Sequence, residues 1–139
     1  MSLSICIVNW NTSGLLRECL RSIYEHAPTR ELEVIVVDNA SEDFDIGEFQ
    51  REFPKTIFIR NDANEGYARG NNQAIARSSG GYVLFLNPDT TVGEGALESL
   101  AHFMDEHPDA GAGLRSPDVR RLRPGSLGDE RDLHLPGCA

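Results

Sequence analysis

The sequence predicts an α/β domain built on a mostly parallel sheet covered on both faces. Two observations carry this. Short apolar runs recur that are continuous rather than alternating, and stretches with one-sided helical spacing separate them. A strand buried on both faces reads as a near-unbroken apolar run, and strands alternating with helices give parallel pairing through right-handed crossovers.

The first run is Ser4–Val8 (SICIV), which breaks into the polar stretch Asn9–Gly14. From Leu15, apolar residues fall at 15, 16, 19, 20, 23, 24 and 27, the spacing of one helix face, with Thr12 or Ser13 available as cap and Pro28 closing the segment. Glu33–Val37 (EVIVV) is the second strand and ends at Asp38-Asn39-Ala40-Ser41. A weaker helix carrying Ile46, Phe49 and Phe53 stops at Pro54, and Thr56–Ile59 (TIFI) is the third strand. Residues 66–79 place Ala68, Ile75 and Ala76 on a helical spacing before Gly80-Gly81. Tyr82–Leu86 (YVLFL) is the most apolar strand and runs into Asn87-Pro88-Asp89. Leu97, Leu100, Ala101 and Met104 mark a last amphipathic helix ended by Pro108, and Ala110–Leu114 reads as an edge strand.

Composition narrows the function. The 139 residues suit one domain of ordinary size. No apolar run approaches the roughly 18 residues of a membrane span, and no secretory leader pattern is present. The net charge of −9 argues against a nucleic-acid partner, which needs a basic face. Residues 1–110 hold 8 Lys+Arg against 18 Asp+Glu, whereas residues 111–139 hold 5 against 4. Hydrophobic periodicity also ends there, so 1–114 is expected to be the folded unit and 115–139 a weakly structured tail. Cys6, Cys19 and Cys138 lack metal-ligand spacing and read as reduced thiols of a cytoplasmic protein. Cys6 and Cys19 are expected in the core, and His26, His102 and His107 at the surface near helix ends.

Ligands of open α/β sheets bind beyond the carboxyl ends of the strands. Three polar clusters fall there: Asn9-Trp10-Asn11, Asp38-Asn39-Ala40-Ser41 and Asn87-Pro88-Asp89. Two carboxylates on one rim suit Mg²⁺ or Mn²⁺ held jointly with substrate phosphates, although each Asp is also good turn chemistry. The segment Asn64-Glu65-Gly66-Tyr67-Ala68-Arg69-Gly70-Asn71-Asn72 is costly as a helix start, and its glycines permit close backbone approach to an anion. As alternatives, Asn64 is simply a helix cap and Arg69 a solvated charge. Trp10 either stacks on a base or sugar or packs inside. Neither a Walker lysine motif nor GxGxxG is present.

Taken in order and spacing, Asn9-Trp10-Asn11, Val36-Val37-Asp38-Asn39-Ala40-Ser41, Asn64-Glu65-Gly66-Tyr67-Ala68 with Asn71-Asn72, and Leu86-Asn87-Pro88-Asp89 resemble the nucleotide-sugar-binding half of the family 2 glycosyltransferases. The likeness covers residues 3 to 114 and is nearest the rhamnosyltransferase-like branch. It implies the GT-A fold, a Rossmann-like three-layer sandwich. It also implies transfer of a sugar, with inversion, from a UDP- or dTDP-type donor to a glycan or lipid-linked acceptor, assisted by Mn²⁺ or Mg²⁺. By position, Val8, Asn9 and Asn11 match the end of the first strand that lines the base, and Asp38 matches the acidic residue at the base or ribose. Asn64, Gly66, Arg69 and Asn71 match the segment framing the nucleotide. Asn87 and Asp89 match the metal-bridging motif, with Asp89 the ligand.

The resemblance also implies a carboxylate base downstream, on the acceptor side. The acidic group Asp129-Glu130-Arg131-Asp132 lacks the apolar and aromatic surroundings that would hold a base within hydrogen-bond reach, so no catalytic residue is assigned. The expectation is therefore a metal-assisted glycosyltransferase or, as the alternative, a donor-binding module or truncated remnant that lacks the acceptor half and the base. Peripheral membrane association and a homodimer covering exposed apolar surface are compatible with that reading.

Overall fold

The computed structural model describes residues 1–111, 114–115 and 119–122. In chain order the elements are β1 (Leu3–Asn9), α1 (Ser13–Glu25), β2 (Leu32–Asp38), α2 (Ile46–Glu52), β3 (Thr56–Arg60), α3 (Tyr67–Arg77), β4 (Tyr82–Leu86), α4 (Ala96–Glu106), β5 (Leu114–Arg115) and β6 (Val119–Leu122). Strands β1 to β4 pair in parallel in the order β3-β2-β1-β4, as the alternation of strands and helices requires. Beyond β4, β6 and then β5 add in antiparallel fashion, so the sheet is mostly parallel. Of the expected edge strand, Leu114 opens β5 at that margin. Residues 123–139, with Cys138 and the 129–132 acidic group, lie outside the described residues.

Every residue of β1 and β4 is buried, which accounts for their unbroken apolar runs. Alternate residues feed two cores. Leu3, Ile5, Ile7, Val34 and Val36 pack with Leu16, Leu20, Ile23, Phe49, Leu97 and Met104 from α1, α2 and α4. Cys6, Ile35, Val37, Val83 and Phe85 pack with Ala74 of α3 on the opposite face. Burying one such aliphatic side chain is worth about 1.5–3 kcal/mol, so both faces contribute to stability.

Helix α3 departs from the expected face. Gly70, Asn71 and Ala74 are buried, whereas Ala68 and Ala76 are exposed and Ile75 is half-buried. The reason is closeness. A Cβ on Gly70 would lie 2.9 Å from both Cγ atoms of Val8, so the helix rests directly on β1 through its smallest residue. Because α3 returns the chain across the sheet, consecutive connections run to opposite sides of β1, and the switch point falls between β1 and β4.

Candidate functional site

Strands β1, β2 and β3 each run further than their apolar cores, ending at Asn9, Asp38 and Arg60. The ladder sets these three side by side: Asn9 pairs with Asp38, and Asp38 with Arg60. They form the top row above the α1/α2 core, since they share a face with Ile7, Val36 and Phe58.

Asp38 is the centre of this row and is 1% exposed. Its Oδ1 accepts from Asn9 Nδ2 at 2.8 Å and from Ser41 Oγ at 2.6 Å. Its Oδ2 accepts from Ser41 N at 3.0 Å and lies 3.6 Å from an Arg60 guanidinium nitrogen. Asp38 thus ties loops together at the rim and is not an open metal ligand. Asn9 is equally buried; its Oδ1 accepts from Thr12 Oγ1 at 2.8 Å. Val8, 7% exposed, points the other way, against Gly70.

Two loops interlock above the row. Asn11, exposed and in a left-handed conformation (φ 52°), donates its backbone N–H to Ser41 Oγ at 2.8 Å, and its Oδ1 accepts from Glu42 N at 2.9 Å. Ala40 is also left-handed (φ 58°), a costly state for a residue with a Cβ. Trp10, between Asn9 and Asn11, is 55% exposed, which resolves the two readings of it in favour of a surface position.

On the α3 side the strand-end residue is Asn39, which shares a face with Val37. It is 1% exposed, donates Nδ2 to Gly66 O at 3.1 Å and accepts from Asn61 Nδ2 at 2.8 Å; Asn61 in turn pairs with Gln73 of α3. Gly66 is the N-cap of α3 at φ 85°, and Asn64 Oδ1 accepts its N–H at 2.9 Å. Asn64 therefore shapes the turn before the helix and does not cap it. Arg69 is exposed and pairs with Glu65 at 2.7 Å, and Asn71, 8% exposed, has a buried Oδ1 without a partner among the described residues. Together with Arg60 and Asn61, Glu65, Arg69, Asn72 and Gln73 line an open cleft of about 690 Å³.

Across the switch point, Tyr67 at the start of α3 donates its hydroxyl to Asn87 Oδ1 at 3.3 Å, bridging to the turn after β4. Asp89 in that turn is exposed and accepts no hydrogen bond among the described residues. Cys19 lies beneath the turn, 3.9 Å from Asn87 O; burial, with Asp89 nearby, pushes its thiol up to about 12. Burial does the same to Cys6, so both thiols are inert at neutral pH. His26 and His107 follow α1 and α4 as C-caps, and His102 pairs with Glu106 on α4, all away from the rim.

No group of three or more His, Cys, Asp or Glu able to hold an ion exists among the described residues. The exposed carboxylate of Asp89, unpaired among the described residues, suits a hard ion whose remaining ligands are phosphate oxygens and water, so the residues fit a shared ion and not a closed protein cage. Sequence reasoning placed Asn39 and Ser41 in the polar cluster after β2 without a role of their own, and it passed over Arg60. The signals were there: Ser three residues after Asp is turn chemistry, and an Arg closes the third strand at the register of Asp38.

An open, mostly parallel sheet with polar loops gathered at its switch point defines an α/β domain of the doubly wound type. The chain matches the family model described as glycosyl transferase family 2 over residues 4–123, and it belongs to that family. It is similar to the poly(ribitol-phosphate) beta-glucosyltransferase of Bacillus spizizenii, 30% identical over 112 residues that cover 77% of this chain and 18% of that protein. It is also similar to the uncharacterized glycosyltransferase YfnE of Bacillus subtilis, 37% identical over 92 residues (64% of this chain, 23% of YfnE). Among solved structures it resembles Staphylococcus aureus TarS 1–349 in complex with UDP-GlcNAc, with TM-score 0.69 and 26% identity over 78% of this chain and 32% of that one. The mannosyltransferase PcManGT from Pyrobaculum calidifontis, in complex with GDP-Man and Mn²⁺, gives TM-score 0.71 and 26% identity over 79% of this chain and 34% of that one. The fold is the GT-A arrangement. The chain spans 18% and 23% of the length of the two curated relatives. Among the described residues, no helix is long and apolar enough to cross a membrane.

Proposed function

We propose that this chain is the donor-binding half of an inverting glycosyltransferase that takes a UDP- or dTDP-sugar and delivers the sugar to a glycan or lipid-linked acceptor. The observation that carries the reading is the rim itself: in a family 2 domain, an exposed tryptophan, a tyrosine bridge and one unpaired carboxylate surround the switch point. Relatives named for UDP, UDP-GlcNAc and GDP-Man complexes support it.

In this reading Trp10 offers a face for stacking, and Val8, Asn9, Asn11 and Asp38 hold the base end of the pocket. Asn64, Gly66, Arg69 and Asn71 frame the nucleotide from α3, with the orphaned Asn71 Oδ1 able to accept a bond from it. Asn87 and Asp89 face the diphosphate, and Asp89 would hold Mn²⁺ or Mg²⁺. When bound, such an ion neutralises charge on the departing nucleoside diphosphate. Asn87 contributes a neutral oxygen only, already shared with Tyr67, which makes the chain's own hold on the ion modest. The catalytic base is not assigned to any residue. Two buried thiols suit a cytoplasmic setting, and peripheral membrane contact and homodimerisation are compatible with it.

A donor-binding module without turnover is the second reading. The matched segment makes up 18% of one curated relative and 33% of another, so a whole transferase's turnover is not carried over to this chain. Calorimetric titration of UDP and dTDP with and without Mn²⁺ tests both readings. Metal-dependent binding lost in Asp89→Ala is expected, and binding that survives this change contradicts the metal assignment. Sugar transfer by the isolated chain would exclude the module.

A further inference from the structure

We propose that Arg60 is a positioning residue that sets the geometry of the two rim loops and, through them, presents Trp10 and Asn11 to the donor's nucleoside; the last part rests on the function proposed above. Arg60 ends the edge strand β3 and its side chain is only partly exposed. One guanidinium nitrogen donates to Phe44 O at 2.7 Å and stands 3.6 Å from Asp38 Oδ2; the other donates to Ser41 O at 3.0 Å. The guanidinium also lies over the Phe44 ring, 5.6 Å from its centroid.

A single planar fork therefore grips the loop after β2 at both ends, at residues 41 and 44. The loop needs such a grip. Ala40 sits in a left-handed state that strains a residue with a Cβ and persists only where the surroundings over-determine it. Ser41 then passes the constraint on, since its hydroxyl accepts the N–H of Asn11, itself left-handed. The chain of contacts runs from Arg60 to Ser41 to Asn11, and Trp10 stands next to its end. Arginine is specified because lysine, with one ammonium, cannot span two carbonyls and a carboxylate in one plane.

The test uses the full chain with Arg60→Met, which keeps the aliphatic stem, and Arg60→Lys. Hydrogen exchange on the free protein reads the loop without any ligand. Faster exchange at the Asn11 and Ser41 amides in Arg60→Met is expected, with core amides of β1 and β4 unchanged. Unchanged exchange at Asn11 and Ser41 overturns the proposal. Binding is then read with UDP plus Mn²⁺ against inorganic pyrophosphate plus Mn²⁺. Loss of two charge-assisted bonds should weaken UDP about tenfold in Arg60→Met, less in Arg60→Lys, while pyrophosphate binding stays level. Equal weakening of both ligands marks a merely structural role and overturns the positioning claim. Wild-type protein that binds neither UDP nor dTDP overturns the functional reading and the donor-facing half of this proposal, while exchange still decides whether Arg60 sets the loops.

Discussion

Ser13, in the first turn of α1, is capped by Asp43, a residue thirty positions further along the chain. The Asp43 carboxylate accepts the Ser13 backbone N–H at 3.1 Å and its hydroxyl at 2.9 Å. Thr12, the residue at the cap position, makes no side-chain bond to the helix and turns instead to Asn9. The carboxylate satisfies an orphan amide and sits at the positive end of the helix, so this one contact both caps α1 and ties it to the loop after β2. Asp43→Ala should lower stability by about 1 kcal/mol, within the range for loss of a cap, measured as a drop in the urea midpoint at unchanged slope. An unchanged midpoint would mean water replaces the carboxylate without loss.

Gly70 against Val8 predicts a mutation whose sign runs opposite to helix propensity. Replacing a mid-helix glycine by alanine ordinarily gains up to about 1 kcal/mol. Here the new methyl meets both Val8 Cγ atoms at 2.9 Å, and α3 must lift from β1. Overpacking of this kind costs about 1–3 kcal/mol, so Gly70→Ala should be net destabilising. Val8→Ala in the same chain should recover much of the loss. A double-mutant cycle without coupling would show that α3 is not seated on Val8.

The Asn9–Asp38 pair predicts a loss that cannot be relieved by solvent. Both residues are 1% exposed or less, and the 2.8 Å bond between them is one of the contacts that hold the Asp38 carboxylate. Asn9→Ala leaves a buried carboxylate with one donor fewer, at a cost of about 1–3 kcal/mol. Asp38→Asn replaces one accepting oxygen by an N–H2 group that faces the Ser41 N–H and Arg60, and should cost more than Asn9→Ala. Thermal melts of the two variants give the order, and a milder Asp38→Asn would reverse the reading.

How far this could be read from the sequence depended on the range of the interaction. The strands were legible because β1, β2 and β4 are buried on both faces and carry unbroken apolar runs. The position of the rim followed from the parallel order. The buried face of α3 did not follow, because its contact with β1 is made by Gly70, Asn71 and Ala74, which a search for large apolar residues passes over. The cap of α1 and the partners of Asp38 come from other strands and loops, so no local window contains them. Parity along β2 did carry one unused signal: Asp38 shares the face of Val34 and Val36, and only Asn39 shares that of Val37.

Helix α4 is held at the far end of the sheet from the rim, and this predicts an acid-sensitive element. Arg30, with a side chain 15% exposed, donates to Glu98 at 3.0 Å and to Asp105 at 3.2 Å. Glu98 also accepts the backbone N–H of Thr29 at 2.9 Å, and Tyr82 donates its hydroxyl to Asp105. The Thr29 amide and then Arg30 hold the Glu98 carboxyl below its ordinary range; the Tyr82 hydroxyl and then Arg30 do the same to Asp105. A carboxylate whose folded pKa is depressed lends stability that is present above its unfolded value, about 4, and lost as pH falls through the folded value. Removing both carboxylates, as Glu98→Gln with Asp105→Asn, should therefore lower the melting temperature at pH 7. The gap to wild type should shrink as pH falls below about 4, where the wild-type carboxylates are protonated too. A gap that stays constant between pH 7 and pH 3 would show that these carboxylates act by shape and packing, and that their charge contributes nothing to seating α4.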